Sequence, residues 1–215
     1  MADWVTISAL ASAGGTLVLA GVTVASVRSA NRAARVAEQS LLAAQRPLLV
    51  QSRVDDPPQK VGFQDDVWLV APGGQGAAKA TDDAVYLIIG IRNVGTGIAV
   101  LHGWHLYPEI QLGVNEHTPL DDFTLLSRDI YVAPGDAGFW QGSFRDPRSE
   151  GYRAARAAIE APQRMSVDVL YGDFEGGQRA ISRFLLSPRE AEDGVRWFAS
   201  VGRHWNVDRP QPRER

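Results

Sequence analysis

Four histidines, His102, His105, His117 and His204, are the side chains best placed to exchange protons or bind metal near neutral pH. His102 and His105 stand three apart in a stretch that reads as a strand, so they should point to opposite faces and cannot chelate one ion as a helical pair would. His102 is expected to share a face with Trp104 as a core histidine. Spacing places no third ligand beside any pair, and catalytic zinc normally takes three from the protein. Four Asp-Asp pairs, at 55/56, 65/66, 82/83 and 121/122, lie in expected loops and lack the spaced acidic ladder of a calcium loop; they read as turn residues. The run Pro72-Gly73-Gly74-Gln75-Gly76 lacks the Lys-Ser/Thr that would complete a phosphate loop, and no Gly-x-Ser-x-Gly elbow occurs. Ser143, Ser166 and Ser182 have no sequence reason to meet His204. The reading is therefore no catalytic residue, no cofactor and no metal.

The most specific local pattern is Tyr171-Gly172-Asp173-Phe174-Glu175-Gly176-Gly177, followed by Arg179 and Arg183. Its spacing makes a hairpin end, with Tyr171 on the face of Val167 and Val169. Loops held on rigid sheets often meet partners, which makes Tyr171, Asp173, Arg179 and Arg183 the candidate contact residues.

Composition narrows the partners. The chain has no cysteine, which removes disulfides, thiolate metal sites and cysteine nucleophiles. The stretch 28–46 carries +3, and with Asp3 set aside residues 47–215 carry −5. An acidic domain disfavours nucleic acid, whose phosphates call for a basic stripe.

These residues must be positioned by two unlike regions. Residues 5–27 are 23 consecutive residues without a charge, closed by Arg28, Arg32 and Arg35. As a helix such a run reaches about 35 Å, enough for a hydrocarbon core of about 30 Å. It is too long for a signal peptide's apolar segment and has no basic start, and it has no polar face to suit a surface helix. Residues 1–27 therefore read as a transmembrane helix, with Trp4 as an interfacial anchor. The basic flank Arg28, Arg32 and Arg35 predicts the amino terminus outside and the main domain in the cytoplasm. Residues 28–46 read as a helical juxtamembrane stalk ending at Pro47. Small pairs, Ala11 with Gly15 and Gly21 with Ala25, would let two spans pack closely, so a homodimer through span or stalk is an option.

Residues 47–209 read as a β domain and 210–215 as a disordered tail. The strongest strand is 85–94, apolar on both faces. Asn93, Gly95 and Gly97 suggest a tight return into 98–107, where alternation predicts Ile98, Val100, His102, Trp104 and Leu106 on one face. Further strands are expected at 47–50, 67–70, 129–132 and 138–144. A helix is expected over 149–161, a second hairpin over 165–174 and 178–186, and a loop-like aromatic tail from 188. Many short strands with few helices indicate an immunoglobulin-like β-sandwich in the loose sense.

The order of these parts resembles that of single-pass bacterial membrane proteins, chiefly actinobacterial. The shared style lies in Gln45-Arg46-Pro47, RNVGTGIAVLHGW (92–104), VLYGDFEGG (169–177) and VGRHWNVDRP (201–210). The resemblance implies the span, the Arg/Ala-rich helix and the β-rich domain, and carries over no activity and no site residues. The sequence thus points to a membrane-anchored binding or scaffolding module with the lipid bilayer and a protein as partners. An enzyme using His102, Asp173 or His204 on a membrane-proximal substrate is the first alternative, and an envelope-facing binding domain the second.

Overall fold

The computed structural model describes residues 3–192 and 194–209; the side chains of residues 4–13, 16–18 and 42–44 also lie outside the described set. The chain divides into two units, residues 1–44 and 45–215. The first is one unbroken helix, α1 (Trp4–Ala44), so stalk and expected span are continuous. Thr23 donates its hydroxyl hydrogen to the Leu19 carbonyl at 2.8 Å, the way a helix absorbs a hydroxyl without water. Among the described residues no helix is long and apolar enough to cross a membrane. Much of the uncharged run, Trp4 included, falls on side chains outside the described set, and the case for a span rests on the sequence. The tail 210–215 also lies outside the described residues.

The second unit is mainly β. Its strands are β1 (Leu49–Gln51), β2 (Gln59–Gly62), β3 (Trp68–Ala71), β4 (Gln75–Ala80), β5 (Val85–Asn93), β6 (Ala99–Tyr107), β7 (Thr124–Val132), β8 (Ala137–Phe144), β9 (Met165–Gly172), β10 (Arg179–Ala191) and β11 (Gly194–Asn206). Nine of them form one curled antiparallel sheet, and β2 and β3 form a separate hairpin. From the centre of β5, one side pairs with β4 and β1 end to end, the other with β8; the sheet then runs β4-β11-β10-β9-β6-β7. Its two outer strands, β7 and β8, are consecutive in the chain, yet no ladder joins them among the described residues.

The curl encloses one main core. Val85, Leu87, Ile89 and Ile91 of β5 meet Met165, Val167, Val169 and Tyr171 of β9 across Trp104, Trp140, Phe184 and Trp197. Alternate residues Tyr86 and Ile88 turn outward, where Val61, Phe63 and Ala71 of the β2–β3 hairpin cover them. This is why β5 is apolar on both faces. Helix α2 (Glu150–Glu160) adds Tyr152, Ala155 and Ala158 to the core. It begins where Ser149 accepts a hydrogen bond from the Tyr152 N–H, an ordinary N-cap.

Several expectations are corrected. β5 and β6 are not a hairpin: β6 pairs with β7 and β9, and residues 94–98 carry the chain across to a different part of the sheet. Asn93 is the reason that crossing holds. Buried, it accepts from the Leu48 and Gly95 N–H groups and donates to the Gly97 and Val132 carbonyls, filling its hydrogen-bonding capacity. The alternation expected along β6 also breaks. His102 is an extra residue opposite β9, and past that bulge the phase flips, so Ala99, Leu101 and Trp104 face the core. The aromatic tail is in fact β11, a 13-residue strand paired along β10. Gly202 bulges out of that ladder, which sends Trp197 into the main core and Trp205 to the opposite face. Strands β2 and β4, short and poor in large apolar residues, were not anticipated.

Candidate functional site

The seam between β7 and β8 is where the curled sheet does not close into a ladder. Near their connecting turn the strands lie close, with Val132 packed where a side chain at Gly138 would stand. They then separate, because β7 carries four residues, 126–129, opposite the single bulge residue His102 of β6. That arch opens a cleft of about 320 Å³. Its floor is Trp104 of β6; one wall is 124–128 of β7, the other Gln141, Gly142, Ser143 and Arg145 at the end of β8, and Phe63 and Gln64 close the rim.

The floor is built by indoles. Trp104 meets Trp140 edge to face with centroids 5.5 Å apart, and Phe144 at 5.1 Å. Gly142 is required there: a Cβ would come within 2.7 Å of the Trp140 ring. The polar rim is cationic. Arg128 donates to the Gln141 side-chain oxygen at 2.9 Å across the seam and lies over the Phe139 ring. Arg145 pairs with Asp65 at 2.9 Å. Asp65 in turn accepts a short bond from the Tyr86 hydroxyl, and that bond, reinforced by Arg145, holds its carboxyl below the usual range. Among the described residues Arg128 and Arg145 are the only charged ones lining the cleft, in a domain that is net acidic.

The residues singled out by sequence fall elsewhere and do not form one surface. Tyr171 is fully buried. Asp173 is buried too, and its carboxylate accepts from the Gly177 N–H at 2.8 Å, closing a hairpin turn in which Gly176 takes φ +76°. Arg179 is exposed beside that turn, near the exposed Phe174. Arg183 lies on the outward face of β10 under the 108–123 segment, 1% exposed, and makes a two-pronged ion pair with Asp168 at 2.6 and 2.7 Å. Its guanidinium is stacked between Tyr107 and Trp205. Arg179 and the hairpin tip are what that group offers a partner directly. Trp4 has no described side chain, and Arg28, Arg32 and Arg35 are exposed along α1.

One pairing that no sequence pattern pointed to is present. Ser182 lies opposite His204 in the β10–β11 ladder, and its Oγ is 3.3 Å from the His204 Nδ1. Both touch the Tyr171 hydroxyl, at 3.0 and 3.2 Å. A serine beside a histidine is the outline of an activated nucleophile. Here, however, Ser182 is fully buried and donates to the Leu49 carbonyl at 3.0 Å, while the Leu49 N–H donates to the Tyr171 hydroxyl at 3.1 Å. The cluster is a clasp holding β1 to the sheet. Burial pushes the Tyr171 hydroxyl up to about 12, and burial, helped by the charge of Arg46, pushes the His204 imidazole below its ordinary value. His102, half-buried against Gly172, is also shifted down by burial. Among the described residues no group of three or more His, Cys, Asp or Glu side chains is placed to hold a metal ion.

No family model matches the chain, and no curated protein matches it. Among solved structures it is similar to a protein from Archaeoglobus fulgidus at 15% identity, covering 64% of this chain and 95% of that one, with a TM-score of 0.25. A β-glucosidase from Kluyveromyces marxianus is similar at 14% identity over 60% of this chain and 14% of its own, with a TM-score of 0.21. Likenesses this distant carry no argument about activity.

Proposed function

We propose that this chain is a binding module: a β domain, immunoglobulin-like in the loose sense, that offers its β7–β8 seam to a protein partner and is held at a membrane by α1. The observation that carries the binding reading is the seam, where two strand ends of the curled sheet meet without pairing around an indole-floored cleft rimmed by arginine. Rigid walls with a few polar groups at the mouth are what a binding cleft requires. The serine-histidine contact does not favour an enzyme, because the hydroxyl that would attack is buried and committed to a backbone carbonyl.

The anchoring half of the reading is supported by the 23-residue uncharged run and by Arg28, Arg32 and Arg35 behind it, which favour a cytoplasmic domain. Leu19, Val22, Val24 and Val27 are exposed on α1, an apolar surface that a bilayer would cover. Two measurements test the proposal. Full-length protein expressed in bacteria should stay in membranes after alkaline carbonate washing, with its carboxyl terminus protected in right-side-out vesicles; release by carbonate would remove the anchor. A photoreactive residue at Gln141 should give crosslinks that one at Arg196, three strands away on β11, does not; equal yields from both would remove the binding site.

A further inference from the structure

We infer that the occupant of the seam is an extended acidic peptide that adds to the free edge of β8 as a further strand, an inference that rests on the binding-module reading above. β8 runs opposite β5 for eight residues, Arg92↔Ala137 through Val85↔Phe144, without a register shift. Its other edge has no ladder, and among the described residues no backbone bond is made there between 138 and 144. In an antiparallel strand every second residue turns its N–H and C=O away from its partner, so this edge presents a regular row of unmet donors and acceptors. Exposed edges of this kind are templates for another strand unless a proline, a bulge or a covering element blocks them. β8 contains no proline and no bulge. The element that would cover it, β7, arches away at 126–129.

Charge selects the kind of strand. Among the described residues the cleft is lined by Arg128 and Arg145 and by no carboxylate. Arg145 already has Asp65, but Arg128 is exposed and its bond is to a neutral amide, Gln141. A Glu or Asp side chain on the incoming strand would replace that amide with a charge-assisted pair. A basic strand would meet two like charges instead.

The test uses the full chain in detergent micelles and fluorescein-labelled octapeptides of alternating Val and Glu or alternating Val and Lys, read by anisotropy. The Glu peptide is expected to bind, more weakly as salt rises, and the Lys peptide to bind far less. Arg128→Glu, at an exposed position, should weaken the Glu peptide about tenfold and improve the Lys peptide. Two further Glu peptides carry N-methyl groups on alternate backbone nitrogens, one on the Val set and one on the Glu set. Strand addition predicts that one set abolishes binding while the other is tolerated. Equal binding by both methylated peptides, or no preference for Glu over Lys, overturns the inference. Failure of every peptide while Gln141 still gives specific crosslinks overturns the acidic strand and leaves the binding module standing; failure of both removes the two together.

Discussion

Arg183 and Asp168 stand directly opposite each other on β10 and β9 and meet through two hydrogen bonds, 2.6 Å from Nε and 2.7 Å from Nη2, in a site closed to water. The second carboxylate oxygen also accepts from the Thr118 N–H at 3.1 Å and its hydroxyl at 2.8 Å, and Nη2 reaches the Glu116 carbonyl. The pair therefore pins the 108–123 segment over the outer face of the sheet, where Phe123, Leu170, Ile181 and Trp205 form a smaller apolar cluster.

Removing one partner leaves a buried charge with nothing to answer it. Asp168→Ala is expected to lose about 3–5 kcal/mol of stability, while Asp168→Leu with Arg183→Met should lose less, about 1–3 kcal/mol, because no charge is left buried and the cost falls to the Thr118 donors that lose their acceptor. Urea denaturation of the three proteins checks this. Equal losses in single and double variants would place the cost in the hydrogen bonds to Thr118 and Glu116 rather than in an unpaired buried charge.

The fold was partly legible because the strongest strands are buried on both faces. In β5 and β9 every residue but Arg92 is buried and most are apolar, and a run of that kind has few other destinations. What escaped was decided by bulges and by distant pairing. Gly202 and His102 each insert one residue and invert every side chain beyond it, which alternation along a single strand cannot foresee. β11 was hidden behind Pro188, a residue that argues against a central strand. β10 outruns β9, whose last paired residue is Met165 opposite Leu186, so Pro188 sits where its strand pairs with β11 alone. The seam was invisible because it depends on two strands failing to pair, and no local pattern encodes that. Tyr171 and Arg183 were expected to face a partner, and both are buried with their specific contacts made inside the domain.

The Ser182–His204 contact yields a chemical prediction. A fluorophosphonate probe labels serines that are both accessible and activated. Ser182 is neither, since its hydrogen is held by the Leu49 carbonyl. The folded protein should not be labelled, and Ser182→Ala should alter stability by about 1–3 kcal/mol through the lost clasp and leave labelling at background. Labelling of the native chain that disappears in Ser182→Ala would restore the enzyme reading.

Acid sensitivity follows from the two half-buried histidines. His102 and His204 both have folded values below 6.5, chiefly because burial disfavours the charged ring. Between the folded values and 6.5 the unfolded chain binds more protons, so stability rises with pH there. It should be level above about pH 7 and decline as pH falls below about 6.5. A second decline below about pH 4 is expected from Asp56, Asp65 and Asp208, whose hydrogen bonds hold them below 3.8 when folded. Melting temperatures across pH 3–8 read both steps. His102→Gln with His204→Gln should flatten the upper one and spare the lower; an unchanged upper step would assign it to other groups.

Gly142 tests whether the indole floor shapes the seam. An added methyl would sit 2.7 and 2.9 Å from the Trp140 ring and 3.1 Å from Trp104, closer than side chains pack, and both indoles are held by the core around them. Gly142→Ala must therefore push the rings apart or lift the end of β8, at a cost of about 1–3 kcal/mol. Ser143→Ala, one residue further along the same wall, makes no such contact and serves as the control. Tryptophan fluorescence should shift in Gly142→Ala and not in Ser143→Ala, since the ring pair at 5.5 Å is disturbed only in the first. If both variants keep the native spectrum and stability, the floor is looser than the contacts imply and the cleft's shape is not set by Gly142.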